Sequence, residues 1–150
     1  MLFRSLFVIA MVRMVLEILG MGDSFHKILL VDDSESNRVL VELYLEDHPY
    51  FITCASNGIG ALKCFEIDLY DCILMDVEMP GMNGFEVVEK MRSVESQRGS
   101  SETPVIFLTA HDRCQCINEV VKVSNSKLLT KPIRRVDLLN NLHEMIEDRE

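Results

Sequence analysis

The sequence predicts an α/β domain built on a doubly wound parallel sheet of five strands. Short aliphatic runs (KILLV, CILM, VIFL) recur without polar interruption, as strands buried on both faces require. Between them lie stretches with apolar residues at helical spacing, so strands and helices alternate from about residue 25 onward. A chain of 150 residues suits one domain with one well-formed core. Right-handed crossovers put helices on both faces of such a sheet. Ligands then gather at the carboxyl ends of the strands, near the switch in strand order.

The first strand is expected at 27–31. Ser34 is a candidate N-cap for a helix over 35–47, where Val39, Leu40, Leu43 and Tyr44 recur at helical spacing. Residues 50–55 form the second strand, 57–65 a helix, and 72–75 a third, fully buried strand. Met79-Pro80-Gly81-Met82-Asn83-Gly84 is dense in turn residues and marks a loop, followed by a helix over 85–94. Residues 95–103 are polar, with Gly99 and several serines, and are read as a surface loop of no particular chemistry. The fourth strand covers 105–108, a helix 113–123, and a short fifth strand 128–130. The last helix runs over 134–146 with Val136, Leu139, Leu142 and Ile146 as its buried stripe. Internal repeats and low-complexity segments are absent from the sequence.

Composition removes several functions. The net charge of −9 at pH 7 opposes direct binding to nucleic acid and suits a protein whose carboxylates hold a hard cation. The five cysteines lack the paired spacing of a zinc site, and Cys114 and Cys116 diverge around a helix. They are read as reduced, mostly buried thiols of a cytoplasmic protein. Residues 1–22 stand apart as a hydrophobic N-terminal extension to a domain over 23–150. The longest apolar run, 6–12, is far short of the roughly 20 residues that span a bilayer, and Arg13 would sit near its middle. Three readings are open for 1–20: a helix packing on the domain or on a second copy, a membrane-surface anchor, or sequence upstream of a start at Met21. The last is preferred, because Met21-Gly22-Asp23-Ser24 resembles an ordinary soluble N-terminus.

The chemistry concentrates at the strand ends. The first strand ends in Asp32-Asp33, the third in Asp76, the fourth in Thr109 and the fifth in Thr130-Lys131-Pro132. Taken singly, each has a plain reading: a helix cap for Asp32-Asp33, a loop carboxylate for Asp76, a surface lysine for Lys131. Brought together at one edge, three carboxylates repel strongly and are tolerable only with a cation among them or with raised pKa values. Carboxylate, carbonyl and water oxygens suit Mg²⁺.

These motifs, ILLVDDS at 28–34, ILMDVEMPGMNGFE at 73–86, FLTA at 107–110 and LLTKP at 128–132, resemble the receiver domains of two-component response regulators, the CheY-like family. The resemblance covers about residues 25–147. It implies a flavodoxin-like (βα)5 sheet of order 2-1-3-4-5 and a phosphoryl group accepted on Asp76 from a histidine kinase or histidine phosphotransfer protein. It further implies that Asp33 ligates Mg²⁺ directly, that Asp32 acts through a metal-bound water, and that the backbone carbonyl of Glu78 adds a ligand. Lys131, on a cis Lys131-Pro132 bond, and Thr109 would each hold a phosphoryl oxygen. On this reading the chain assists its own phosphorylation and dephosphorylation without being a turnover enzyme. It signals to a downstream protein target or passes the phosphoryl group onward. Asp32-Asp33-Ser34-Glu35-Ser36-Asn37-Arg38 resembles the first loop of phosphorelay receivers, which favours a relay intermediate over a motility-type regulator.

Leu128 departs from the family, which usually carries an aromatic residue there. The output is then expected from the Thr109 shift and the loop 110–113. Glu78 and His111 flank the path of attacking water, where Glu78 either tunes phosphate lifetime or simply faces solvent. Two other strand-end chemistries fit less well. A haloacid-dehalogenase-like phosphatase wants Asp-x-Asp where this chain has Asp76-Val77-Glu78, and an FMN phosphate would be repelled by Asp32-Asp33-Ser34-Glu35. A receiver-like interaction module independent of phosphorylation is the alternative, opposed by the intact pocket positions. Membrane contact is open only to residues 1–20.

Overall fold

The computed structural model describes residues 2–20, 25–110 and 113–148; expectations placed on 21–24 and on His111 lie outside the described residues. An N-terminal helix, α1 (Leu2–Ile18), precedes five βα units. These are β1 (His26–Val31) with α2 (Glu35–Leu45), β2 (Tyr50–Ala55) with α3 (Gly58–Ile67), and β3 (Cys72–Asp76) with α4 (Gly84–Arg98). β4 (Val105–Thr109) with α5 (Arg113–Lys122) and β5 (Ser126–Thr130) with α6 (Arg135–Glu147) complete the domain. All neighbouring strands pair in parallel, in the order β2-β1-β3-β4-β5.

Why the strands read as unbroken apolar runs is plain in the packing. Successive side chains point to opposite faces of a sheet. Leu29, Val31, Ile73, Met75, Val105 and Phe107 therefore enter one core with Ala61 and Phe65 of α3 and Val87, Val88 and Met91 of α4. Ile28, Leu30, Leu74, Ile106 and Leu108 enter the other, with Val41 and Leu45 of α2 and Leu138, Leu142 and Met145 of α6. Leu128 is buried in the first of these cores, so the aliphatic departure from the family is filled as packing.

Caps set the helix starts. Ser34 accepts from the Asn37 amide, Asn57 from Gly60, and Asn83 forms a capping box with Glu86. Gly99, at φ 67°, closes α4 in the left-handed conformation that favours glycine.

Three expectations are corrected. Residues 95–98 continue α4, and Glu95 is buried rather than part of a surface loop, because the Arg92 guanidinium and the Thr103 amide bind its carboxylate. In α2 the buried residues are Val41 and Leu45, while Val39, Leu40 and Leu43 are exposed. Asn37 and Arg38 are bound to Asp32, and the helix face that holds them there presses Val41 and Leu45 onto the sheet. In α6, Val136 is exposed; Leu138 and Met145 join Leu142 and Ile146 in the core.

Of the described cysteines, Cys72 and Cys116 are buried and Cys54 is exposed, all as free thiols. The Cys54 thiol donates to Glu42 at 2.9 Å, and partial burial followed by that bond pushes its pKa up to about 12, which makes it a poor nucleophile. Among the described residues no helix is long and apolar enough to cross a membrane.

Candidate functional site

Parallel register brings four strand ends to one edge. Val31 lies beside Met75, Asp76 beside Leu108, and Thr109 beside Thr130. The residues that follow or end these strands therefore converge. Ligand oxygens of Asp32, Asp33 and Asp76 all lie within 4.8 Å of one another. Asp32 and Asp76 are only 1% and 2% exposed, whereas Asp33 stands at the rim.

Lys131 closes the cluster. Its Nζ donates to Asp32 Oδ2 at 3.0 Å and to Asp76 Oδ1 at 3.2 Å. Its own amide donates to the Thr109 carbonyl at 2.6 Å, which ties the lysine to the end of β4. The Lys131-Pro132 bond is cis, as the resemblance implied. Asp32 is fixed independently: its Oδ1 accepts from the Ser34 amide at 2.9 Å, its Oδ2 from Asn37 Nδ2 at 3.3 Å, and its carbonyl from Arg38 Nη1 at 2.7 Å.

One lysine does not balance this much negative charge. The Asp76 carboxyl is pushed up to about 7 from its ordinary 3.8: burial raises it most, Lys131 pulls it down, and the charge of Asp32 and a hydrogen bond with Asp33 add to the rise. Burial alone would lower the Lys131 pKa, but its bonds to Asp32 and Asp76 and their charges outweigh that and raise it. The donor set is hard oxygen at close range with an excess of negative charge, which fits a small divalent cation and not a soft metal.

Thr109 is fully buried, and its hydroxyl donates to Glu78 Oε1 at 2.6 Å. The Ala110 amide donates to Oε2 of the same carboxylate at 3.4 Å. The Glu78 side chain is half-buried, with its carboxylate bound to the residue that ends β4. The Glu78 amide also donates to Asp76 Oδ1 at 3.3 Å.

Asp32, Asp33, Asp76 and Lys131 thus reach one pocket, and Thr109 stands at its edge through Glu78. Three contributors were missed. Asn37 and Arg38 hold Asp32 from the first turn of α2, where Glu35 and Ser36 are polar as well and nothing local sets the two apart. Gly84 was read only as a turn residue, yet a Cβ there would lie 2.3 Å from the Asp76 carbonyl oxygen and 2.9 Å from Met75 Cγ. Only glycine lets the start of α4 approach the acidic strand end this closely.

With this geometry in hand, the likeness to known proteins is informative. Residues 28–143 match the family model of the response regulator receiver domain. Sensor protein GacS of Pseudomonas syringae pv. syringae is 35% identical over 107 residues, 71% of this chain and 12% of that protein. Response regulator PleD of Caulobacter vibrioides is 37% identical over 119 residues, 79% of this chain and 26% of that protein. The chain therefore spans only a minor part of these relatives. Among solved structures, chemotaxis protein CheY4 of Vibrio cholerae is 34% identical with a TM-score of 0.71, covering 81% of this chain and 98% of that one. The receiver domain of sensor histidine kinase PA1611 from Pseudomonas aeruginosa PAO1, solved with magnesium coordinated in its active-site cleft, is 30% identical with a TM-score of 0.72. That match covers 82% of this chain and 98% of that one.

Proposed function

We propose, from the premise that this chain belongs to the response-regulator receiver domain family, that Asp76 is its phosphoacceptor and that the acidic cluster holds Mg²⁺. The observation that carries the reading is Lys131 Nζ shared between Asp32 and Asp76, with the Asp33 carboxylate beside those two.

A carboxylate attacks an anionic phosphoryl group poorly unless positive charge offsets the repulsion. Mg²⁺ held by these carboxylates would supply that charge at the phosphoryl oxygens. Asp33 and Asp76 would hold the ion directly, Asp32 through a bound water, and the Glu78 carbonyl would complete the set. Asp76 attacks through an ionised oxygen, so no general base is required; the phosphorus–nitrogen bond of a donor phosphohistidine breaks as the aspartyl phosphorus–oxygen bond forms. Lys131 turns from Asp32 and Asp76 toward the transferred group, and Thr109 exchanges its bond to Glu78 for one to a phosphoryl oxygen. In-line positioning and charge stabilisation carry such transfers.

The added group brings about two negative charges beside Glu78. That carboxylate must yield, and the end of β4 moves with it, which is how phosphorylation is read out. The chain assists its own phosphorylation and dephosphorylation and is not a turnover enzyme. Its partners on this reading are a histidine kinase or histidine phosphotransfer protein and a downstream protein target. Exposed Val39, Leu40 and Leu43 on α2, which begins two residues past Asp33, offer the donor an apolar docking surface.

Incubation with acetyl phosphate and Mg²⁺, followed by intact mass, tests the reading. A gain of one phosphoryl group that needs Mg²⁺ and is lost in Asp76→Asn is expected. An unmodified chain, or an Asp76→Asn variant still modified, defeats it in favour of an interaction module independent of phosphorylation.

A further inference from the structure

The phosphoacceptor reading leaves α1 without a role. One side of the helix is engaged: the Arg13 guanidinium lies 5.4 Å over the Phe51 ring and bonds Glu17 at 3.2 Å, and Leu16 lines a small cleft with Phe25, Lys27 and Phe51. Phe25 precedes β1 and Phe51 stands near the start of β2, so α1 sits at the amino-terminal edge of the sheet, the pole opposite the acidic cluster.

The other side is apolar and bare. Phe7, Met11, Met14 and Ile18 follow the four-three-four spacing of a heptad seam, and Phe7 and Ile18 are 72% and 75% exposed. Val8, Val12, Val15 and Leu19 repeat that spacing one residue on, giving a face two seams wide between the register positions of Arg4 and Gly20. These exposed side chains present roughly 900 Å² of apolar surface, against about 300–600 Å² for the largest patch on a typical monomer. A standard protein interface takes about 800 Å² from each partner.

From this match of area and spacing we infer that α1 is a self-association surface, occupied by α1 of a second copy of this chain. A two-fold pairing sets identical apolar faces against each other and requires no complementary charge, and from residue 7 to residue 19 this face carries no charged side chain. A bilayer fits this helix less well. Seventeen residues reach about 25 Å, short of the roughly 30 Å hydrocarbon core. A chain of net charge −9 is also repelled by the anionic lipids that draw basic helices to a membrane surface. Pairing at this pole leaves both acidic clusters facing outward, so the surface serves assembly without covering the site, and the inference stands apart from the phosphoacceptor reading.

Sedimentation equilibrium of the full chain tests it. The expected mass is twice the 17.2 kDa of one chain at low micromolar concentration, with association strengthening as salt screens the like net charges. Met14→Glu, and independently Ile18→Lys, are each expected to weaken association at least tenfold, with far-ultraviolet circular dichroism reporting that the fold persists. The second variant decides should the first lose helix content. A chain that is monomeric at about 100 μM, a dimer that survives both substitutions, or flotation of the chain with phosphatidylcholine vesicles overturns the inference.

Discussion

Asp76 and Glu95 are buried to the same degree, each 2% exposed, near opposite ends of the sheet, and their partners differ in kind. Each Glu95 oxygen has its own donor: Oε2 takes Arg92 Nη1 at 2.9 Å, and Oε1 takes the Thr103 amide at 2.6 Å. Arg92 is in turn bound to the Thr103 and Ser124 carbonyls, and its Nε has no partner among the described residues. Asp76 instead contests one lysine with Asp32 and lies against Asp33. The matched acid fastens α4 to the segments before β4 and β5. The contested acid is held in an arrangement that a cation or a phosphoryl group can relieve. Burial alone thus does not separate a structural carboxylate from a chemical one; the ratio of donors to charges does.

The largest way to test this contrast is to break the matched pair. Glu95→Ala leaves the part-buried Arg92 guanidinium without its carboxylate and the Thr103 amide without its acceptor, and urea unfolding should show a loss of roughly 3–5 kcal/mol. An unchanged midpoint would mean that Glu95 is no fastener. Next comes relief of the contested site: Mg²⁺ at about 100 times its dissociation constant should stabilise the chain by about 2.7 kcal/mol, and Asp76→Asn should remove most of that gain.

The same substitution sharpens the contrast without metal. The Asp76 pKa is raised, so between about 4 and about 7 the folded chain holds a proton that the unfolded chain has released. Stability in chelator must therefore fall as pH rises through that window and level off above it. Asp76→Asn removes this slope and should be the more stable form at pH 8 by roughly 1–3 kcal/mol. A flat wild-type profile, or an Asn variant weaker at pH 8, would sink the idea of a contested carboxylate.

The smallest effect concerns the gate between site and output. Glu78→Ala removes the Thr109 hydroxyl's bond to a carboxylate, which competes with the phosphoryl oxygen, and takes that carboxylate from the path of attacking water. The aspartyl phosphate should then decay roughly 2–10-fold more slowly, the worth of one modest hydrogen bond. An unaltered decay rate excludes Glu78 from that step.

The sheet was legible in the sequence because burial on both faces writes itself as an aliphatic run. The site was legible because its charged residues sit where those runs stop. What escaped was phase and pairing. Helix α2 carries two apolar sets at helical spacing, 39/40/43 and 41/45, and only the bonds from Asn37 and Arg38 to Asp32 decide which one meets the core. Glu95 lies in a run of polar residues that looks like loop, and its burial depends on a backbone amide eight residues away. The Thr109–Glu78 bond joins residues 31 apart and has no local signature.

Gly84 has a consequence for the mechanics of the domain. With no side chain between α4 and the carbonyl of Asp76, helix and strand tip abut without slack, and the Gly84 amide is also fastened to the Val77 carbonyl at 3.0 Å. A shift of the strand tip is therefore transmitted as a push on the helix rather than absorbed by the seven-residue link between them. The joint behaves as a stiff crank. Lengthening that link would leave the acidic residues in place yet disconnect them from the far end of α4.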